Sequence, residues 1–188
     1  MKQTLIRDRR VMNEVRKAIS EGIDIDPALV VPEASLIKDL GAESLDFLDI
    51  NYRLEQTFGI KMARHSVLEH MEEMFGEESA IDSDGKLTEK AVKVLSLRFN
   101  NSGDQLKVGM EMDELPSLVT VQSIADGVIS LLETLPENCP NCGQQAWKIE
   151  KESRIQCGSC SEPAPFTNGD DLIDQWLGQV REKEKLLA

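Results

Sequence analysis

Positive charge is what this chain most lacks: 21 Lys and Arg stand against 34 Asp and Glu, a net charge of −13 over 188 residues. That deficit argues against a nucleic-acid binder or an anchor on an anionic membrane surface, since both need basic surface. Long hydrophobic runs are missing too. None approaches the roughly 20 residues of a membrane span, so no spanning segment is expected. Met1 to Leu5 lead straight into Arg7, Asp8, Arg9 and Arg10 without the apolar region of a secretory signal, and a cytoplasmic location is the expectation. Histidine is nearly absent. His65 and His70 sit near neither a plausible nucleophile nor a cysteine in the sequence, and read as ordinary surface or helix residues. Cysteine occurs at four positions only, all between 139 and 160.

Against this sparse background one serine stands out. The run Asp39-Leu-Gly-Ala-Glu-Ser-Leu-Asp46 brings Ser44, through a turn with a glycine, to the start of an amphipathic acidic helix. Backbone N–H groups and the positive end of a helix dipole there make a good place to hold a phosphate. Serine before a helix often means only an N-cap. The residues after Ser44 separate the two readings. Phe47, Ile50, Leu54 and Phe58 recur at helical spacing and form one core-facing stripe. A second, narrower apolar row of Leu45, Leu48 and Tyr52 is bordered by Asp46, Asp49 and Glu55. A purely structural surface helix needs only the first stripe, so the second reads as a docking face for basic partners. From Asp39 to Glu55 five acids face one Arg53, a net charge of −4.

This motif, the helix Phe47 to Phe58 with Gly59-Ile60, and the later Val119-Thr-Val-Gln-Ser-Ile-Ala-Asp126 together resemble the acyl carrier proteins. The run Ser44-Leu-Asp-Phe-Leu-Asp-Ile50 is most similar to the specialised carriers of very long acyl chains for lipid A. The resemblance covers about residues 5–62 and 117–135. It implies a four-helix bundle whose serine, here Ser44, carries 4′-phosphopantetheine and holds an acyl group as a thioester. It also implies partner contacts at Leu45, Leu48, Asp46, Asp49 and Glu55, and Glu43 and Tyr52 border the same face. The family usually has aspartate where Glu43 stands. The implied partners are a phosphopantetheinyl transferase and acyl-chain synthases and acyltransferases with basic docking surfaces, in fatty-acid or lipid synthesis. Such a protein is a carrier and not an enzyme. The alternatives are a peptidyl or aminoacyl carrier of a nonribosomal pathway, and an unmodified zinc-containing interaction protein.

The pattern of apolar residues and breakers organises the rest of the chain. A first helix is expected over about residues 4–21, from Leu5, Val11, Met12, Val15 and Ile19, with Gly22 ending it. A last bundle helix is expected from Val121 to about Leu135, stopped by Pro136. Between them, residues 65–117 form a segment outside the carrier pattern, with two helical stripes: Val67, Leu68, Met71, Met74, Phe75 and then Leu87, Ala91, Val94, Leu95, Phe99. Asp82 to Thr88 looks like half a calcium loop. Aligning Gly85 with the loop's glycine puts Ala80 and Ala91 at ligand positions, so it reads as a turn and helix start. The insertion reads either as extra wall for an acyl cavity, suited by Met71, Met74, Met110 and Met112, or as a plain hairpin adding core to the bundle.

The cysteines form a second motif. Cys139-Pro-Asn-Cys142 and Cys157-Gly-Ser-Cys160 are two CxxC knuckles separated by fourteen residues. They can place four thiolates around one Zn²⁺, and the alternating residues 146–150 and 154–156 read as a hairpin, so the segment resembles a zinc ribbon. Paired disulfides do not suit a cytoplasmic chain, and a redox dithiol lacks its βαβ setting. Residues 138–162 balance Lys148, Lys151 and Arg154 against Glu150, Glu152 and Glu162, which disfavours nucleic acid. Beyond Pro163 and Pro165, Leu172, Ile173, Trp176, Leu177 and Val180 form a helical stripe that needs a partner. The expected fold class is mainly α: a carrier domain over 1–136 with an insertion at about 65–117, a small β zinc ribbon over 137–166, and a C-terminal helix over 167–188.

Overall fold

A computed structural model of the chain describes residues 5–98, 106–151 and 153–184. Thr4, Phe99, Glu152 and residues 185–188 of the expected last helix lie outside the described residues. The fold is mainly helical, with a helical insertion, one small two-stranded sheet and a C-terminal helix. By packing, the chain falls into two units. One comprises Met1–Met62 with Val119–Asn168, the other Ala63–Leu118 with Gly169–Ala188.

In the first unit α1 (Asp8–Ile23) packs against α2 (Ser44–Phe58) and α5 (Val121–Leu132). Val11, Val15 and Ile19 of α1 meet Ile50, Leu54 and Phe58 of α2 and Val121, Val128 and Leu132 of α5 in a fully buried core. Burial of each large side chain stabilises by about 1.5–3 kcal/mol. Phe47, placed on the core stripe by its spacing, is only half-buried. Gly22 does not end the first helix. α1 continues to Ile23, and Asp24 ends it in a left-handed conformation with φ of 55°. Gly22 instead lets α2 approach, because a Cβ there would lie 3.0 Å from Ile50 Cγ1. α5 starts on a Thr120–Ser123 capping box and stops at Leu132.

The strands β1 (Trp147–Ile149) and β2 (Ile155–Cys157) pair antiparallel, Trp147 opposite Cys157 and Ile149 opposite Ile155. This hairpin is tied to the helices of the first unit. Trp147 Nε1 donates to Pro136 O at 2.7 Å, and Arg10 Nε to the fully buried Ser153 Oγ at 2.9 Å. Arg154 Nε reaches Gln56 O at 2.8 Å, supplying a donor to a carbonyl in the last turn of α2.

The second unit has its own core. Leu68 and Met71 of α3 (Val67–Phe75), Ala91, Val94 and Leu95 of α4 (Glu89–Arg98), and Ile173, Leu177 and Val180 of α6 (Gly169–Glu184) are buried together. Both readings of the insertion placed its stripes on the carrier bundle. The structure spends them on a core closed by α6, which thereby finds a cover for its own stripe. Asp82 accepts the Asp84 and Lys86 N–H groups in a plain turn, and the Thr88 hydroxyl accepts the Ala91 N–H in the first turn of α4. His70 is not a surface residue: it is 4% exposed, with Nδ1 2.8 Å from Asp174 and Nε2 3.2 Å from Asp170.

Candidate functional site

The first unit holds two constellations, and the first surrounds Ser44. The turn before it is tightly tied: the Asp39 carboxylate accepts the Ser35 N–H at 2.7 Å, and Leu36 N–H donates to Val119 O at 3.0 Å. Gly41 follows with φ of +73°, a left-handed conformation that glycine adopts without a Cβ penalty. Ala42 N–H then returns to Leu36 O at 2.8 Å, and the Ala42 side chain is buried. The chain therefore enters α2 from a fixed direction.

Ser44 is the first residue of α2, and Glu43 is the N-cap. The Asp46 carboxylate accepts the Glu43 N–H at 2.7 Å. The capping role that serine often fills is thus taken by its neighbours. The Ser44 side chain is exposed and receives no hydrogen bond among the described residues. The first-turn backbone at Ser44 and Leu45 and the positive end of the helix lie beside it. Chemically this is a free hydroxyl next to an anion-favouring backbone.

Along α2 the narrower apolar row is open to solvent. Leu45 is 76% exposed, Leu48 58% and Tyr52 59%. The acids around it differ in state. Asp49 accepts from Arg53 Nε at 2.6 Å, and Arg53 also reaches Glu21 at 3.0 Å. The hydrogen bond to Asp49 is the main reason the Arg53 guanidinium is held even more firmly protonated than usual. Glu55 departs from the sequence reading. It is only 6% exposed and its carboxylate accepts the Met62 N–H at 2.9 Å, so it fastens the chain after α2 and is not a surface contact. Its place at i+3 from Tyr52 suggested the exposed border; the return of the chain over it could not be read from spacing.

The second constellation is Cys139, Cys142, Cys157 and Cys160. All four are free thiols whose sulfurs lie within 4.8 Å of one another. Cys139 and Cys160 Sγ are 3.7 Å apart, Cys142 and Cys157 Sγ 3.6 Å. The two knuckles bring one buried and one partly exposed sulfur each. Burial raises the Cys157 pKa, yet the backbone N–H groups of Cys160 and Ser159, together with the Cys142 and Cys160 side chains, outweigh it and lower it overall. Cys142 goes the other way: the Gln144 N–H lowers it, but burial and the three neighbouring thiols push it up. Four sulfurs this close cannot all ionise without a cation among them. Their arrangement could hold one metal ion.

Comparison with known proteins bears on the first constellation. The phosphopantetheine attachment site family matches residues 13–71. An acyl carrier protein of Helicobacter pylori strain G27 is 38% identical over 52 residues, which is 28% of this chain and 67% of that protein. This chain belongs to the acyl carrier protein family. A Thermotoga maritima acyl carrier protein is 42% identical over 52 residues, 28% of this chain and 64% of the relative. The Rhizobium etli protein named acyl carrier protein AcpXL is 46% identical over 50 residues, 27% of this chain and 54% of the relative. No solved structure matches significantly.

This carrier thus has a phosphopantetheine attachment domain, and Ser44 lies inside the matched span. The match ends within α3, so the cysteine knuckles and α6 are outside it. Among the described residues, no helix is long and apolar enough to cross a membrane.

Proposed function

We propose that Ser44 is the attachment serine and that the chain carries acyl groups for fatty-acid or lipid synthesis in the cytoplasm. The observation that carries this is the exposed Ser44 hydroxyl, released from capping by Glu43 and Asp46 at the head of α2. Its Oγ attacks the coenzyme A phosphorus that bears the pantetheine, the pyrophosphate bond breaks with 3′,5′-ADP leaving, and the serine proton passes to a base of the transferase. The arm, once attached, supplies a terminal thiol that holds acyl groups as thioesters. The protein's own work is to present that arm, so the chain is read as a carrier with no catalysis of its own.

Transferase, synthases and acyltransferases would dock on Leu45, Leu48 and Tyr52, oriented by Glu43, Asp46 and Asp49. Reversing Asp46 and Asp49 to lysine is expected to lower transferase kcat/KM about tenfold or more at low salt, and less at high salt, since such charges steer encounter and orientation. Asp46→Lys also removes the acceptor of the Glu43 N–H, at about 0.5–2 kcal/mol. Asp46→Asn keeps an acceptor without the charge and isolates the docking effect. Equal rates for all variants at low salt would remove the docking role.

The insertion supplies a second unit rather than acyl-cavity wall in this reading, because its apolar stripes are already covered by α6. Hydrogen exchange in residues 67–75 and 89–98 is therefore expected to be the same in the unmodified and long-chain acyl forms. Protection there that grows with chain length would restore the cavity reading.

The four cysteines are read as a structural zinc site. Tetrahedral zinc with Zn–S of about 2.3 Å places its sulfurs about 3.8 Å apart, close to the 3.6 and 3.7 Å found here. With four protein ligands no position is left for substrate, so the site would fold the hairpin and fix it against α1 and α2.

A further inference from the structure

The second unit contains a cluster that the carrier function does not use. His65, in the loop before α3, His70 on α3 and Asp170 in the first turn of α6 bring one ligand atom each within 4.8 Å of the others. Asp170 Oδ1 lies 3.2 Å from His70 Nε2 and 3.5 Å from His65 Nδ1. The two rings meet edge to face with centroids 6.0 Å apart. A four-coordinate ion with metal–nitrogen and metal–oxygen distances of about 2.0–2.1 Å has ligand edges of about 3.3–3.4 Å. The 3.2 and 3.5 Å edges straddle that value.

The surroundings are those of a supported ligand set. Asp174 stands one helical turn after Asp170 on the same face of α6. Its Oδ1 is 2.8 Å from His70 Nδ1. A carboxylate that accepts the Nδ1–H fixes the ring, the usual support of a metal-binding histidine, so an ion that displaces the proton between Nε2 and Asp170 would find Nε2 already oriented. The backbone N–H groups of Arg64 and His65 both lie 3.0 Å from Asp170 Oδ1, and the Arg64 N–H also 3.1 Å from Oδ2, so the chain before α3 fixes this carboxylate. The His70 side chain is 4% exposed and held at both nitrogens, whereas the His65 side chain is 59% exposed, so the cluster lies at the surface on that side. Two carboxylates against one buried imidazole also leave negative charge that a divalent cation would neutralise.

We propose that His65 Nδ1, His70 Nε2 and the Asp170 carboxylate bind a divalent first-row transition ion, with Asp174 orienting His70. The nitrogen and carboxylate donors favour zinc, cobalt or nickel over magnesium and calcium. Three protein ligands leave at least one position for water, unlike the closed cysteine site. The ion ties the start of α6 to α3, and its binding therefore stabilises the second unit by an amount that grows with the logarithm of the free ion concentration above Kd.

The test is cobalt titration of the metal-free, tag-free full chain at neutral pH, reduced and anaerobic. Two equivalents are expected. One gives the strong near-ultraviolet absorption of thiolate coordination; the second adds only the weak visible bands of nitrogen and oxygen ligands. His65→Ala, an exposed change that leaves the core alone, removes the second equivalent and keeps the first. Asp174→Asn, which retains an acceptor for Nδ1, weakens it about 10–100-fold. Helical circular dichroism checks that each variant is folded, and the wild-type stoichiometry decides even if one is not. A single thiolate-bound equivalent in wild type, or a second equivalent unchanged by His65→Ala, overturns the proposal.

Discussion

Ser44→Ala should abolish loading completely. Incubated with coenzyme A and a broad-specificity transferase, the wild-type chain is expected to gain one phosphopantetheine by intact mass, and the alanine variant none. The size of the effect follows from the chemistry: without the hydroxyl no oxygen remains to form the phosphodiester. The fold should be untouched, because Ser44 is exposed, Glu43 holds the N-cap and Asp46 takes the Glu43 N–H. Alanine is also a better helix former than serine, so unfolding should be equal to wild type or slightly later. Ser44→Thr tests position as well as chemistry, since it keeps a hydroxyl but adds a methyl group at the point of attack. Wild-type chain left unmodified under conditions that convert another carrier would overturn the assignment. Loading by a transferase dedicated to peptidyl carriers alone would move the chain to a nonribosomal pathway.

Loss of any one of Cys139, Cys142, Cys157 or Cys160 should release the metal and unfold the hairpin. A purified wild-type chain is expected to hold one zinc among these four sulfurs, measured by elemental analysis with thiol titration before and after chelation. In small zinc-folded peptides the metal contributes about 10–16 kcal/mol of apparent binding energy at neutral pH, and that energy is folding energy. Two strands of three residues each cannot replace it with their own core. Cys157→Ser should therefore abolish protection of residues 147–157 in hydrogen exchange. The effect should reach the helices weakly, through loss of the Arg154–Gln56 and Arg10–Ser153 bonds, while α1, α2 and α5 keep their helicity. Acid should act in the same direction, since protons compete with the metal for thiolates. A metal-free chain with four titratable thiols and a protected hairpin would be the contrary result.

The parts legible in the sequence are those governed by local spacing. α2 is written in the repeat of Ile50, Leu54 and Phe58 and in Gly59, which ends it with φ of 73°. The hairpin is written in the alternating residues between two CxxC knuckles, in each of which the cysteines stand three residues apart. The stripes of α3, α4 and α6 are equally plain, since periodicity reports which side of a helix is apolar.

What periodicity leaves open is the identity of the covering surface, and that only the tertiary structure decided. Glu55 has the spacing of an exposed acid, yet the chain returning at Met62 buries it. Gly22 has the look of a helix stop, but its meaning lies in the approach of Ile50 from another helix. His70 is one unremarkable residue on α3 until α6, 100 and 104 residues later, brings Asp170 and Asp174 to its two nitrogens. The insertion and the last helix each show an apolar face, and each could have met the carrier bundle; they met one another. Hydrophobic burial is non-directional. It requires that such faces be covered, and the partner is chosen by the competition among all faces of the folded chain.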